Sequence, residues 1–399
     1  MKHKWQLIPL GEVLTERIET PSPEDLVSGR VRIIEKVSFD TGCIWLRSDG
    51  TTRTGMVLVQ PGDLVVSGIN AAKGAIAIYD PKAAEPVAAT IHYGAYIPNP
   101  DRADVRFLWW MLRSRFFQVL LEEYVPGGIK TELKAKRLLP VPVPIPSLSE
   151  QRRIVARIEK LNAQIHEAYA LRYQSAQEAE ALLLAELSTV FKWQAGRFGV
   201  LRLEQLFTEA GYGSSERCSP ERMEGGIPVL RIPNVAAERI ALNDLKFARL
   251  ARRDSDRLSL SEGDVLVVRT NGSLELVGRS AVVPKLDEPF AFASYLIRLR
   301  FDTRRITPYY AQRMLQHLRA AGVLVDLART TAGQYNVSLG RLRSAEIPVP
   351  PLPEQRRIVA ELNVLQAEVE ELKGLQAESA AELDAMLPAI LDRAFKGEL

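Results

Sequence analysis

The chain has 399 residues, of which 46% are hydrophobic and 25% charged, so a disordered or collagen-like protein is excluded. Its net charge is only +3, from 52 Lys/Arg and 49 Asp/Glu, and its two cysteines cannot form a disulfide framework or a four-ligand zinc site. Because neither a signal peptide nor a membrane-spanning apolar run is present, we expect a cytoplasmic protein without a membrane partner.

The first part of the chain, residues 1–146, predicts a mixed α/β module. Short β-branched runs at 55–59 and 75–79 alternate with turn residues, and a helical pattern follows at 105–124. The four prolines between 140 and 146 then predict a stiff, extended lead-in to the next element.

A long helix is predicted to follow the prolines. Its apolar residues are spaced alternately by four and three positions, which is typical of a coiled-coil seam. The seam residues are Ile154, Ile158, Leu161 and Ile165. The absence of proline and the richness in Ala, Glu, Leu and Gln predict about 40 helical residues, or about 60 Å.

The second half of the chain repeats the first. Residues 143–156 align without gaps on residues 347–360, with ten of the 14 positions identical and an offset of 204. A second seam, made of Ile358, Leu362, Leu365, Val369 and Leu372, follows the same spacing. Between the two helices, runs at 229–232, 265–268 and 294–301 with a helical stretch at 308–327 predict another α/β module.

The predicted fold is therefore two α/β (α+β) modules in tandem with two long antiparallel coiled-coil helices and a pseudo-twofold internal repeat. The predicted boundaries are 1–146 for the first module, 147–193 for the first helical spacer, 194–350 for the second module and 351–399 for the second spacer. The helices are interpreted as scaffold that pairs together, because a module lies between them in the sequence.

The small net charge conceals an uneven distribution. The first module carries +2, the first spacer zero, the second module +6 and the second spacer −5. Basic modules are typical of proteins that bind a polyanion, although a charge of +2 is equally compatible with an ordinary solvated surface. The second module is also richer in Arg than in Lys, and Arg favours two-pronged contacts with phosphate or guanine.

Polar loops that contain glycine supply the candidate DNA contacts. They follow apolar strands or precede the proline lead-ins, where side chains can enter a groove. The candidates are Asn70, Lys73, Lys130, Arg231, Arg269, Asn271, Arg279, Gln334, Tyr335 and Asn336. For each residue, a solvated turn is the alternative interpretation.

Catalytic motifs are missing from the sequence. It contains no phosphate-binding loop of the Walker type, no His-Glu-x-x-His zinc motif and no Asn/Asp-Pro-Pro-aromatic motif for adenine methylation. The four histidines are scattered, so no catalytic residue and no metal ligand is predicted. We therefore expect a recognition and assembly subunit rather than a nuclease or methyltransferase.

The duplicated segments resemble the specificity subunits of type I restriction–modification systems. The resemblance rests on the proline lead-ins that end in Glu150-Gln151-Arg152-Arg153 and Glu354-Gln355-Arg356-Arg357, on the long helices, and on the Gly-Asp pairs at Gly62 and Gly263 that begin apolar strands. It extends over essentially the whole chain.

This resemblance implies a non-catalytic subunit that reads a bipartite double-stranded DNA target, one half per module. It implies two methyltransferase subunits docked on the helices and restriction subunits that complete the endonuclease. No cofactor is then expected in this chain: S-adenosylmethionine for adenine-N6 methylation belongs to the methyltransferase partner, and ATP and Mg to the restriction partner. The alternative is a non-catalytic coiled-coil adaptor whose modules bind proteins.

Overall fold

The computed structural model describes residues 5–47, 55–125, 127, 132–324, 329–331 (backbone only) and 334–399. The chain divides into two compact units. Unit 1 comprises Met1–Arg172 and Gln376–Leu399, and unit 2 comprises Tyr173–Leu375. Both divisions fall inside the long helices, so each unit contains one module and half of each helix. The four-segment boundaries expected from the sequence stay a prediction.

In the described part of unit 1, ten strands and four short α-helices precede the first long helix. They are β1 (Leu7–Pro9), β2 (Leu14–Glu16), α1 (Pro23–Val27), β3 (Arg32–Val37), β4 (Ile44–Leu46), β5 (Met56–Val59), β6 (Leu64–Ser67), β7 (Ile76–Ile78), β8 (Val87–Thr90), β9 (Tyr93–Pro98), α2 (Val105–Leu112), α3 (Arg115–Tyr124), α4 (Ala135–Leu138) and β10 (Pro142–Pro144), followed by the long helix α5 (Leu148–Phe198), which continues into unit 2.

The strands of unit 1 form two four-stranded sheets and one two-stranded pair. The sheet orders are β2-β9-β6-β7 and β4-β3-β8-β5, with β3 and β8 parallel. Every residue of β6 is buried, because an uninterrupted apolar run fits a strand covered on both faces. The proline lead-in does not stay unpaired, since its residues 142–144 form β10, which pairs antiparallel with β1. This pair has only two short strands, and proline is tolerated on such edge strands because an N–H that faces away from the partner is not needed.

Unit 2 contains the second set of strands and helices. They are β11 (Val200–Arg202), β12 (Phe207–Tyr212), β13 (Ile227–Leu230), α6 (Ile232–Val235), β14 (Lys246–Ala248), α7 (Arg252–Leu258), β15 (Val265–Val268), β16 (Thr270–Asn271), β17 (Ser280–Val282), β18 (Ala291–Phe292), β19 (Leu296–Phe301), α8 (Pro308–Ala320), β20 (Arg329–Thr331), β21 (Gln334–Asn336), α9 (Leu339–Arg343), β22 (Glu346–Pro348) and the start of α10 (Leu352–Lys396), which ends in unit 1.

The topology of unit 2 repeats that of unit 1. The order β12-β19-β15-β17 corresponds to β2-β9-β6-β7, the β11–β22 pair corresponds to β1–β10, and β13 again lies between an antiparallel and a parallel neighbour. An additional three-stranded sheet, β16-β21-β20, is described in unit 2. The prediction of two mixed α/β modules in an internal repeat is confirmed.

The long helices are longer than the roughly 40 residues expected from the seam. α5 has 51 residues and α10 has 45, with Pro388 inside its last part. The Ala- and Glu-rich stretches between the apolar groups continue the helix even where the seam spacing lapses, because these residues favour helix regardless of packing. None of the helices in the described part of the chain is long and apolar enough to cross a membrane.

Within each unit the two helix halves run antiparallel, as predicted. In unit 1, Arg153 near the start of α5 donates to the carbonyl of Leu399 at 2.8 Å, and Tyr169 further along donates to Asp384. In unit 2, Gln194 near the end of α5 donates to Glu354 at 3.1 Å, and Lys373 contacts Glu180.

The predicted seam residues lie mostly in the hydrophobic core. Six of them are buried and three are half-buried. The buried ones are Ile154, Ile158, Ile165, Ile358, Leu362 and Val369, and the half-buried ones are Leu161, Leu365 and Leu372. The seam does not serve the helices alone. Ile154 and Ile158 share one cluster with Phe107 of the module and with Phe395 of α10, so helix pairing and module docking use the same apolar stripe.

Candidate nucleic-acid interface

The two units present their polar loops after the same strand of the repeated sheet. In unit 1, Gly68 follows β6: its N–H donates to His92 O and its carbonyl accepts from Leu133 N, both at 2.7 Å. In unit 2, Arg269 follows β15 and makes the same two bonds, to Tyr295 O and from Val337 N, both at 2.9 Å. Gly68 and Arg269 therefore occupy equivalent places in the two units.

Arg269 is held by neutral groups. Its guanidinium carbon lies 4.3 Å from the ring centroid of Tyr212, and its Nε donates to Asn336 Oδ1 at 3.2 Å. Nη1 lies 3.5 Å from the carbonyl of Ser294. Since no carboxylate among the described residues pairs with Arg269, its charge is left for a ligand.

A small sheet brings three further candidates beside Arg269. Thr270 pairs with Asn336 and Asn271 with Tyr335 along β16 and β21. Asn271 and Tyr335 are half-buried, whereas Gln334 is exposed. The structure therefore joins Arg269 and Asn271 with Tyr335 and Asn336, which lie more than 60 residues further along the sequence.

A cation-lined cavity of about 580 Å³ adjoins this cluster in unit 2. Ser294 and Tyr295, whose carbonyls contact Arg269, form part of its wall. The remaining lining residues are Ser214, Ser215, Glu216, Arg217, Cys218, Arg231, Ile232, Pro233, Lys246 and Ala293. Burial raises the pKa of the Cys218 thiol, and the charges of Arg231 and Lys246 oppose that shift. Arg217, Arg231 and Lys246 outnumber Glu216 in this lining, and the excess of cations favours an anionic ligand.

Arg231 and Arg279 differ from Arg269 because both hold loops together. Arg231 donates from Nη2 to the carbonyl of Asp244 at 2.6 Å and to its carboxylate at 3.0 Å. Arg279 donates to the carbonyls of Glu275 at 3.0 Å and Ala236 at 2.7 Å. Arg231 Nη2 and Arg279 Nε and Nη1 are thus used within the protein, and the role of both residues as DNA contacts stays a prediction.

The candidates of unit 1 form a second, smaller cluster. Asn70 precedes a short 3-10 turn, Ala71–Lys73, and the exposed Lys73 places its ammonium 5.9 Å from the ring centroid of Phe39. Arg113 anchors the Phe39 loop by donating to the carbonyls of Phe39 and Asp40. Burial lowers the pKa of Arg113 to about 10, so it keeps its charge at neutral pH.

A hydrogen-bonded pair of side chains lies at the position equivalent to the arginine cluster of unit 2. His92 Nδ1 lies 3.2 Å from Glu132 Oε1, and this hydrogen bond lowers the pKa of Glu132. Both side chains are partly exposed. Lys130, another predicted contact, lies outside the described residues.

Sequence reasoning missed several residues of these clusters. The sequence analysis predicts no role for Tyr212, and Tyr295 falls inside the predicted strand run at 294–301. Arg217 and Lys246 carried no local signal, because the cavity joins segments about 30 residues apart. Over the residues that the structure places, no group of three His, Cys, Asp or Glu side chains could hold a metal ion.

Comparison with known proteins places this duplicated fold in a class of DNA-recognition subunits. Residues 3–170 and 198–378 match the family model described as type I restriction modification DNA specificity domain. The two matches cover most of the chain and coincide with its two repeats. The chain belongs to this family.

Individual relatives agree with the family match. The chain is 26% identical over 356 residues to the type I restriction enzyme EcoKI specificity subunit of Escherichia coli K12, covering 86% of this chain and 75% of the relative. It is 23% identical over 363 residues to the StySPI specificity subunit of Salmonella potsdam, with the same two coverages.

Solved structures share the fold. A chain from a structure concerning complex assembly of the type I R-M system superposes with a TM-score of 0.75 at 23% identity, covering 100% of both chains. The HsdS subunit from Thermoanaerobacter tengcongensis gives a TM-score of 0.59 at 23% identity, covering 99% of this chain and 97% of that one.

Proposed function

We propose that this chain is the sequence-specificity subunit of a type I restriction–modification complex and that each unit reads one half of a bipartite double-stranded DNA target. The observation that carries the proposal is the equivalence of Gly68 and Arg269: the same sheet is built twice, and different side chains surround the same strand end. Such a design recognises two different half-sites with one backbone scaffold.

The chain itself is non-catalytic in this proposal. Two methyltransferase subunits bind its long helices and supply S-adenosylmethionine for adenine-N6 methylation. Restriction subunits, where present, supply ATP and Mg for cleavage. All components act in the cytoplasm on incoming DNA. The role of this chain is to select the sequence and to hold the catalytic partners beside it.

Moderate contacts from each unit suffice for tight DNA binding because the two units belong to one chain. After the first half-site is bound, the second binding event is intramolecular, which can raise the affinity about 10²–10⁴-fold over one module. Base-edge contacts then discriminate by about 1–3 kcal/mol each. Phosphate contacts from the basic modules make the binding steeply dependent on salt.

The proposal is tested by expressing the chain with its methyltransferase partner and sequencing the methylated adenines in host DNA. We expect methylation within one motif of two specified parts separated by an unspecified spacer. Arg269→Glu is expected to abolish or change one part, whereas Arg252→Glu, an exposed arginine on α7 that does not line the cavity, is the matched control. Methylation without a two-part motif would falsify the proposal.

The protein-binding adaptor is not favoured, because the family match concerns DNA specificity domains. It also gives no reason for a charge of +6 on the second module. An adaptor predicts methylation whose sequence preference is unchanged by Arg269→Glu.

A further inference from the structure

Resting on the proposed function, we propose that Arg269 reads a guanine in the half-site bound by unit 2, and that unit 1 has no such contact at its equivalent position. The proposal follows from how the guanidinium is fixed, from which of its donors remain free, and from what surrounds it.

The position of Arg269 is fixed by its backbone. The residue leaves the fully buried strand β15, and its N–H and carbonyl bond to two different segments, at Tyr295 and Val337. Its Cα therefore cannot shift without breaking two hydrogen bonds. A reader of base edges needs this placement, because a misplaced side chain would contact the neighbouring base pair.

The guanidinium plane is fixed as well. It stacks on Tyr212, whose hydroxyl accepts a hydrogen bond from Leu339 N at 2.9 Å, so the supporting ring is itself held. Nε is bonded to Asn336. Nη2 has no partner among the described residues, and Nη1, which contacts Ser294 O at 3.5 Å, has a second N–H left, so both nitrogens can donate to a ligand. A fixed arginine loses little conformational entropy on binding.

Two other arginines of unit 2 have a structural role and are paired with carboxylates. Arg300 donates to both carboxylate oxygens of the buried Asp264, at 2.7 Å each, and Arg298 pairs with Glu209. Both are neutralised within the protein. Arg269 is also fixed, but no carboxylate among the described residues neutralises its charge.

The surroundings favour a base over a phosphate. Beside Arg269 stand neutral groups that suit base edges and rings, namely Asn271, Asn336 and Tyr212. The cations Arg217 and Lys246 line the cavity beyond Ser294 and Tyr295, where a backbone phosphate would be neutralised. A two-pronged arginine matches guanine O6 and N7 in the major groove.

Unit 1 has a glycine, Gly68, where unit 2 has Arg269. A Cβ on Gly68 would lie 3.1 Å from Glu132 Cγ and 3.1 Å from His92 O, so a side chain there would require these neighbours to move by a few tenths of an ångström. The place is closed by the His92–Glu132 pair. The contact proposed for Arg269 therefore has no counterpart at this position of unit 1.

The test uses the complex of the chain with its methyltransferase partner on a library of DNA sites randomised at each specified position. For the wild-type complex we expect guanine at one position of the half-site read by unit 2. Arg269→Ala and Arg269→Gln are expected to reduce discrimination at that position about 5- to 100-fold, leaving the other half-site unchanged. Arg252→Ala is the control and keeps the wild-type motif.

Each alternative result contradicts the proposal in a recognisable way. If both Arg269 variants keep the full guanine preference, Arg269 is no reader. If they weaken binding equally for all sequences and lower the salt dependence by about one phosphate contact, Arg269 binds the backbone instead. Retained recognition of the remaining positions of the unit 2 half-site shows that unit 2 is folded in the variants. A wild-type complex without any bipartite motif would refute the proposed function rather than this assignment.

Discussion

The Oε1 atom of Gln151 accepts a hydrogen bond from the backbone N–H of Asp104 at 2.8 Å, and Gln355 makes the same bond with Thr307 at 2.8 Å. Asp104 and Thr307 are the N-caps of α2 and α8. Each glutamine also donates from Nε2 to two carbonyls, those of Arg102 and Pro146 for Gln151. The glutamine of each repeated Glu-Gln-Arg-Arg segment thus ties a long helix to its module.

Replacing this glutamine is expected to destabilise the unit that contains it. Gln151 is fully buried, and Gln151→Leu leaves one N–H and two carbonyls without a partner. Each unsatisfied group costs about 1–3 kcal/mol, so we expect a loss of about 3 kcal/mol or more. Urea unfolding followed by circular dichroism measures it, with Gln164→Leu at an exposed position of α5 as the control. Equal stabilities of the two variants would contradict the role of Gln151.

A charge in the seam is expected to have a comparable effect. Ile158 is fully buried and Leu362 is 2% exposed. An aspartate at either position places an unpaired carboxylate in an apolar cluster, which costs several kcal/mol. The controls Ala156→Asp and Ala360→Asp lie on the exposed sides of the same helices and are expected to cost about 1 kcal/mol or less. Thermal unfolding compares the melting temperature of each seam variant with that of its control. Equal melting temperatures would show that the stripe is not part of a core.

The stability of unit 2 is expected to depend on the protonation of His317. This side chain stacks on Phe191 at 4.0 Å between ring centroids. Burial, with a smaller contribution from Lys192, lowers the pKa of His317 below its ordinary value of 6.5. The unfolded chain therefore binds the proton first as the pH falls. Stability is fully present above about pH 6.5 and decreases below it.

His317→Gln is expected to remove this part of the pH dependence. Unfolding free energies measured between pH 8 and pH 5 should fall less steeply for the variant than for the wild type. His166→Gln, which removes an exposed imidazole from α5, is expected to keep the wild-type slope. Parallel profiles for wild type and His317→Gln would exclude His317 as the titrating group.

The repeat and the seam could be predicted because both appear in the sequence as patterns of neighbouring residues. Ten identities in 14 residues reveal the duplication, and a spacing of three and four residues reveals a buried stripe such as that of Ile154 and Ile158. The dual use of this stripe could not be predicted, since periodicity identifies a buried face but not the element that covers it.

The partners of the arginines could not be predicted for a related reason. Arg269 directly follows β15 and Arg279 directly precedes β17, so both flank the same turn region and look alike in sequence. The structure separates them because Arg279 reaches a carbonyl 43 residues away at Ala236, whereas Arg269 stacks on Tyr212. Such contacts depend on which loops the folded sheet brings together, and composition does not contain that information.

The cations of the unit 2 cavity are expected to contribute affinity without sequence preference. Arg217 and Lys246 line it, and neither forms an ion pair among the residues that the structure describes. If both residues contact phosphates, the double variant Arg217→Gln/Lys246→Gln should make the plot of log K, the binding constant for DNA, against log salt less steep by about 1.8. The double variant Arg252→Gln/Arg253→Gln on α7 changes the net charge equally but lies outside the cavity lining, so its slope should stay near the wild-type value. Binding of the methyltransferase-loaded complex to one fixed site at several salt concentrations gives both slopes.

Since the same variants leave Arg269 and Asn336 in place, the methylated motif is expected to be unchanged. An altered motif would mean that the cavity reads bases, and equal slopes for the two double variants would mean that only overall charge matters.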